Sequence, residues 1–284
     1  MKRWLPVTPL IVQLGSTSYD VTHRALVMGV LNRTHDSFFA PAATFGIDAF
    51  LARAEQLVNE GADLLDVGGV KAGPGEDVSE PEELERVVPA IAMLRARFDV
   101  PVSVDTWRAN VAQASFALGA CVGNDISGFA DPRYLEVAQA ANASVVATHI
   151  RLRPRVADPN PHYDDVTQNV YDFLVERRQR ALEAGIASEQ IILDAGLDLG
   201  KTPAHSVQLL RDSARFCELG TLLLSASNKT FLGTMFDLEV LERREPSLAA
   251  AALGIGAGCR VLRVHDVKGT VRVRDAMSRV MEVA

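Results

Sequence analysis

At 284 residues, 48 % of them hydrophobic, the chain can bury a core the size of an eightfold strand–helix barrel, which typically takes about 250 residues. A net charge of −7 argues against the basic surface of a nucleic-acid binder, although a local anion site remains compatible with it. No segment approaches the roughly 18 consecutive apolar residues of a membrane span, so neither nucleic acid nor membrane is an expected partner.

The first 24 residues precede the first long apolar run and read as a hairpin turning at Gly15. Pro6 and Pro9 interrupt their apolar stretch and there is no small-residue cleavage site, so they are not read as a signal peptide. Cys121, Cys217 and Cys259 lack metal-like spacing, which fits reduced thiols and a cytoplasmic location.

Eight short apolar runs then follow, at residues 26–32, 64–69, 102–106, 122–127, 145–150, 191–195, 222–227 and 261–265. Each precedes an amphipathic stretch of helical length, so the strands should be parallel with crossover helices. Eight units suit closure better than an open sheet, giving an α/β fold: a single (β/α)8 TIM barrel over residues 1–284, with the hairpin at 1–24.

Helix boundaries are also legible. Residues 48–60 end at Gly61, Ser79 and Glu82 have capping-box spacing, and Thr202-Pro203 opens a further helix. Thr106 is expected to cap a helix entered at Trp107, and Asp131 the next one. Residues 164–184, ending at Gly185, form the longest predicted helix. Residues 151–163, with Arg-Pro-Arg and Pro-Asn-Pro, form a long loop of the kind that is functional or mobile.

Active sites of such barrels lie at the C-terminal ends of the strands. Polar residues stand near every strand exit: Asn32, Asp66, Asp105, Asn124 with Asp125, His149, Asp194, Asn228 with Lys229, and Arg263 with His265. Arg263 and His265 are two apart and therefore share a face. Facing inward, the pair suits phosphate, for which a guanidinium offers a planar fork; the competing reading is an Arg263 ion pair and a core-packed His265. Asp105, Asp194 and Asn124 can accept N–H bonds from a heterocycle, and Lys229 adds positive charge. Asp194 can equally be a turn-former before Gly196.

These segments resemble the dihydropteroate synthase family. The likeness is carried in order by Val27-Met28-Gly29-Val30-Leu31-Asn32-Arg33-Thr34-His35-Asp36-Ser37-Phe38, Asp66-Val67-Gly68-Gly69 with Pro74-Gly75, Ser103-Val104-Asp105-Thr106 and Asn124-Asp125-Ile126-Ser127-Gly128. Tyr163-Asp164-Asp165-Val166, Ile191-Ile192-Leu193-Asp194, Gly200-Lys201-Thr202 and Arg263-Val264-His265-Asp266 continue it. The resemblance implies condensation of a dihydropterin methyl diphosphate with p-aminobenzoate, with Mg2+ as cofactor and a homodimer as the assembly. It implies that Asp105, Asn124, Asp194 and Lys229 surround the pterin, and that Asn32, Arg263 and His265 hold the diphosphate, Asn32 near the metal. Asp105, Lys229, Arg263 and His265 are then the expected catalytic residues.

The departures cluster in two loops. Val70-Lys71-Ala72-Gly73 stands where the family has Glu-Ser-Thr-Arg, and Phe38-Phe39-Ala40-Pro41 where it has Ser-Asp-Gly-Gly. Arg33, His35, Ala195, Asp198-Leu199 and Asn228 also differ from the family pattern. The sequence thus resembles divergent second copies of the family: an intact pterin and anion set beside an altered acceptor loop. Three functions follow from it: a transferase using p-aminobenzoate or a changed aryl amine, a paralogue that binds without turnover, and a methyl-transferring pterin domain. The last has no need of Asn32, Arg263 and His265.

Overall fold

The computed structural model describes residues 9–33 and 43–282. Two short strands, β1 (Ile11–Leu14) and β2 (Thr17–Asp20), pair antiparallel around a turn at Gly15. Gly15 has φ +59°, and a Cβ there would lie 2.7 Å from Cys121 Cβ, so the turn requires glycine on both counts. Ser144 Oγ donates to the Gln13 carbonyl at 2.5 Å, fastening the hairpin beneath the barrel.

The eight expected runs are all strands: β3 (Leu26–Asn32), β4 (Leu64–Gly68), β5 (Val102–Asp105), β6 (Val122–Asp125), β7 (Ser144–Thr148), β8 (Ile191–Asp194), β9 (Thr221–Leu224) and β10 (Val261–Val264). They close in the order β10-β3-β4-β5-β6-β7-β8-β9, every described pairing being parallel. The helices follow as α1 (Ala43–Asn59), α2 (Glu80–Arg97), α3 (Ala109–Ala117), α4 (Tyr134–Ala140), α5 (Val166–Glu183), α6 (Pro203–Arg211), α7 (Ser213–Cys217), α8 (Thr230–Phe236), α9 (Arg244–Ala257) and α10 (Val267–Glu282). None among the described residues is long and apolar enough to cross a membrane.

Strand alternation divides the core in two. One face packs on the helices through residues such as Val27, Leu65, Val104, Val145, Leu193 and Val264. The other fills the barrel with Leu26, Met28, Leu64, Val122, Val146, Ile192, Leu223 and Val261, closed at the bottom by Val12 and Leu14 of the hairpin and by Val21. Each fully buried side chain of this size contributes about 1.5–3 kcal/mol. The lower barrel is thus apolar, which leaves the inward positions above it for polar groups.

Two of the expected side-chain caps are in place. Ser79 Oγ accepts from Glu82 N at 3.3 Å, and Thr202 and His205 form a reciprocal box at the start of α6. Thr106 departs from expectation: α3 begins at Ala109, and Thr106 Oγ1 accepts only from Arg108 N, at 3.2 Å. Asp131 serves two helix entries, Oδ1 accepting from Arg133 N and Oδ2 from Ala109 N, both at 3.0 Å. One carboxylate thus satisfies orphan donors from two segments far apart in the chain. α5 starts at Val166 behind an Asp165 cap and has 18 residues, as does α2, so it is not longer than its rival.

Candidate active site at the strand exits

A single inward face carries the polar ring. Arg263 Nε donates to Asp66 Oδ2 and its Nη2 to Asp105 Oδ2, each at 2.7 Å. Asn124 Nδ2 donates to Asp66 Oδ2 at 3.3 Å. Three strands, β4, β5 and β6, are thereby tied to β10. The Arg263 ion pair exists, but so does the convergence: both readings of that residue hold. Nε and one N–H of Nη2 are already directed to carboxylates, so the fork on that edge of the guanidinium is taken. Both N–H groups of Nη1, the second of Nη2 and the positive charge remain.

Burial pushes Asp105 up to about 7; the Arg263 charge pulls against this, while Asp66 adds to the rise. The same pair of carboxylates holds Arg263 firmly protonated, above its ordinary value. Asp194, on β8, accepts from Gly196 N at 2.8 Å and is raised by burial. It is therefore a turn-former whose second oxygen has no donor among the described residues. Burial lowers the Lys229 ammonium, against the pull of Asp198 and Asp194. Lys229 stands at the entry of α8, whose first amides are capped from elsewhere: Asp198 Oδ2 accepts from Thr230 N at 2.5 Å.

His265 follows β10 and is exposed, its Nδ1 3.1 Å from Ser227 Oγ, so it is not packed into the core. Partial desolvation where the side chain meets the barrel mouth, together with the charges of Arg263, Lys229 and Arg53, lowers it to about 4, leaving a neutral ring at pH 7. Asn32 is exposed at the end of β3. The loop at residues 38–41 lies outside the described residues.

Two strand-exit residues leave the ring. Asp125 accepts from Ser127 N and Oγ at 2.6 Å and from Phe129 N at 2.9 Å, building the β6 turn. His149 lies just beyond β7 on the opposite parity, its Nδ1 2.9 Å from Lys201 Nζ and its Nε2 3.2 Å from Asn169 Oδ1. It lines a separate cleft of about 740 Å³ with Ser127, Arg151, Tyr163, Asn169 and Arg177. Lys201 also donates to the carbonyls of His149 and Leu199, which makes it a tie between loops. The Gly-Lys-Thr run had carried resemblance without suggesting this tie.

The altered loop after β4 is held by its backbone. Arg86 Nη1 donates to Gly69 O at 2.8 Å, and Arg108 Nη2 to Val78 O at 2.6 Å. Arg155, from the long β7–α5 loop, donates through Nη1 to Lys71 O at 3.0 Å and Gly73 O at 2.6 Å, and through Nη2 to Glu76 O. Its own amide donates to Ala72 O at 3.2 Å. In the barrel order, β5 and β6, which carry Asp105 and Asn124, lie between the strands that these two loops follow. Lys71 itself is exposed.

Comparison with known proteins agrees with this architecture. A family model described as pterin binding enzyme matches residues 28–265. The chain is 40 % identical over 267 residues to a Mycobacterium tuberculosis protein named inactive dihydropteroate synthase 2, covering 92 % of this chain and 84 % of that one. It is 39 % identical over 246 residues to dihydropteroate synthase of Haemophilus influenzae, covering 86 % and 90 % respectively. The solved structure of Xanthomonas albilineans dihydropteroate synthase with 4-aminobenzoic acid superposes with TM-score 0.89 at 36 % identity, covering 98 % of this chain and all of the other. The closed barrel, its polar strand-exit ring and these likenesses together assign the chain to the dihydropteroate synthase family of pterin-binding enzymes.

Proposed function

We propose that the barrel mouth binds a dihydropterin methyl diphosphate and transfers its pterin methylene to an aryl amine. The observation that carries this reading is the ring Asp66–Arg263–Asp105 with Asn124, Asp194 and Lys229 beside it. Asp105 and Asp194 each keep a carboxylate oxygen without a donor among the described residues, and Asn124 keeps its carbonyl. Such acceptors suit a ring edge bearing an amino group and a ring N–H. A solved relative from Xanthomonas albilineans in complex with 7,8-dihydropteroate lends support, with TM-score 0.84 at 35 % identity.

In the transfer, the bond from the methylene carbon to the diphosphate oxygen breaks and its electron pair leaves with diphosphate. The amine lone pair forms the new C–N bond, and the amine proton passes to the released diphosphate or to water. The ionised Asp105 would stabilise positive charge spreading from the methylene into the ring, and Lys229 and the remaining donors of Arg263 would attract the departing anion. His265, exposed and neutral, would donate one hydrogen bond rather than a charge. Asn32 offers one neutral oxygen, and no group of three His, Cys, Asp or Glu suited to a metal occurs among the described residues. This donor set fits Mg2+ only as an ion accompanied by the diphosphate's own oxygens, as Mg2+ commonly is. Bound there, Mg2+ would neutralise charge on the leaving group.

The second reading is binding without turnover. It is favoured by Val70-Lys71-Ala72-Gly73 and by the likeness to a protein named as inactive. Thermal unfolding with dihydropterin methyl diphosphate and Mg2+ tests the shared part. A ligand bound only by the native state raises the midpoint, so an unchanged midpoint at saturation refutes both. Dihydropteroate production from p-aminobenzoate then separates them. A homodimer is the proposed assembly; the exposed Leu253 on α9 and Val280 on the adjoining α10 support it, and light scattering measures it.

A further inference from the structure

Asp66 is fully buried, one inward step below the mouth: its register partner is Ser103, whereas Gly68 is the partner of Asp105. It cannot itself meet a ligand that Asp105 meets. Its Oδ2 nevertheless accepts from both Arg263 Nε and Asn124 Nδ2, and its Oδ1 has no donor among the described residues.

We propose that Asp66 is a positioning residue that sets the hydrogen-bonding polarity of the pocket. A carboxamide can present either its oxygen or its NH2, and the two ends have nearly the same shape. The Asp66 oxygen that accepts from Arg263 can only accept, so Asp66 engages Asn124 through the NH2 end. The carbonyl of Asn124 is therefore the end left for the ligand, beside the acceptors of Asp105 and Asp194. Through Nε the same carboxylate fixes the plane of Arg263, which directs Nη2 at Asp105. Selection for a ring that presents N–H donors thus originates one layer beneath the residues that touch it. This deepens the pterin reading and rests on it.

The test has a ligand-free arm and a binding arm. In the ligand-free protein, the Asn124 side-chain amide resonance, assigned by its loss in Asn124→Ala, should be protected from exchange and should lose that protection in Asp66→Asn. This arm reads the positioning even if dihydropterin fails to bind, which would overturn the pterin reading alone. In the binding arm, Asp66→Asn should weaken 7,8-dihydropterin about tenfold, the loss expected for one misdirected buried hydrogen bond. Asn124→Asp should weaken it similarly, and the exchange Asp66→Asn with Asn124→Asp should recover most of that loss by restoring one donor and one outward acceptor. If Asp66→Asn does not fold, the ratio of wild-type to Asn124→Asp affinity should shrink as pH falls, because a proton shared by the facing carboxylates restores the acceptor. An unchanged Asn124 resonance in Asp66→Asn, no recovery in the exchange, or a pH-independent ratio overturns the proposal.

Discussion

Nη2 of Arg263 donates to Oδ2 of Asp105 across 2.7 Å, joining β10 to β5 across the barrel mouth. Burial still lifts Asp105 to about 7, so its ionisation falls within an accessible range. Dihydropterin affinity should therefore rise between about pH 6 and 8 and then level off, if the ionised form is the acceptor. Asp105→Asn should bind more weakly and remove the slope, as read by calorimetry across that range. For folding the sign is opposite. A carboxyl with a raised folded pKa contributes stability below the unfolded value of 3.8, and that contribution is lost as pH rises through about 7.

His149 and Lys201 give a second pH signature. Burial and the nearby ammonium hold His149 at about 3, so its ring is neutral and accepts from Lys201. A depressed folded pKa contributes stability above the model value of 6.5, lost as pH falls toward about 3. Wild type should lose more stability in urea between pH 7 and 4.5 than His149→Gln, which keeps an acceptor without a titrating ring. Equal losses would show that His149 does not supply the slope.

Arg155 collects carbonyls of the altered loop rather than side chains. Arg155→Ala should raise amide exchange in residues 71–76 and cost about 1.5–3 kcal/mol, the usual range for a hydrogen bond to a charged group. Arg155→Lys should restore little, since a point charge cannot replace a planar fork. Hydrogen exchange with mass spectrometry reads both.

Because the loop is held through its backbone, its side chains can be changed. A Cβ at Gly73 meets nothing within 4 Å. The combined Lys71→Ser, Ala72→Thr and Gly73→Arg variant should fold with a near-unchanged midpoint. It should raise dihydropteroate formation from p-aminobenzoate by tenfold or more, given that one oxyanion donor typically supplies about 10²–10³. No gain would shift the acceptor defect to the loop at residues 38–41.

Gly196 lies at φ +66°, and an added Cβ would overlap the His149 carbonyl oxygen. Gly196→Ala should cost at least the roughly 1–3 kcal/mol of a strained backbone, measured by denaturant unfolding. It should also disturb the Asp194 turn, because Asp194 accepts from the Gly196 amide.

Strand positions and the barrel were readable because apolar runs and helical spacing are local properties of the chain. The two-residue step from Arg263 to His265 likewise allowed them a common inward parity, and Val264 packs on the helices. The same step, applied at β6 and β7, separates Asn124 from Asp125 and excludes His149; strand-exit chemistry alone had grouped them. Thr106 was misread for a different reason. The amide it seemed placed to cap is satisfied by Asp131, whose proximity depends on folding.

The sequence by itself determined the order of strands and helices, the apolar lower barrel and the set of polar residue types at its mouth, since each follows from short-range periodicity and composition. Only the tertiary structure decided which donors remain for a ligand. Arg263 meets Asp66 and Asp105 from positions 197 and 158 residues away, and those encounters use two of its five N–H donors. Hydrogen bonds saturate: a donor committed to one acceptor is withdrawn from another, and the partner is chosen by closure of the barrel rather than by spacing along the chain.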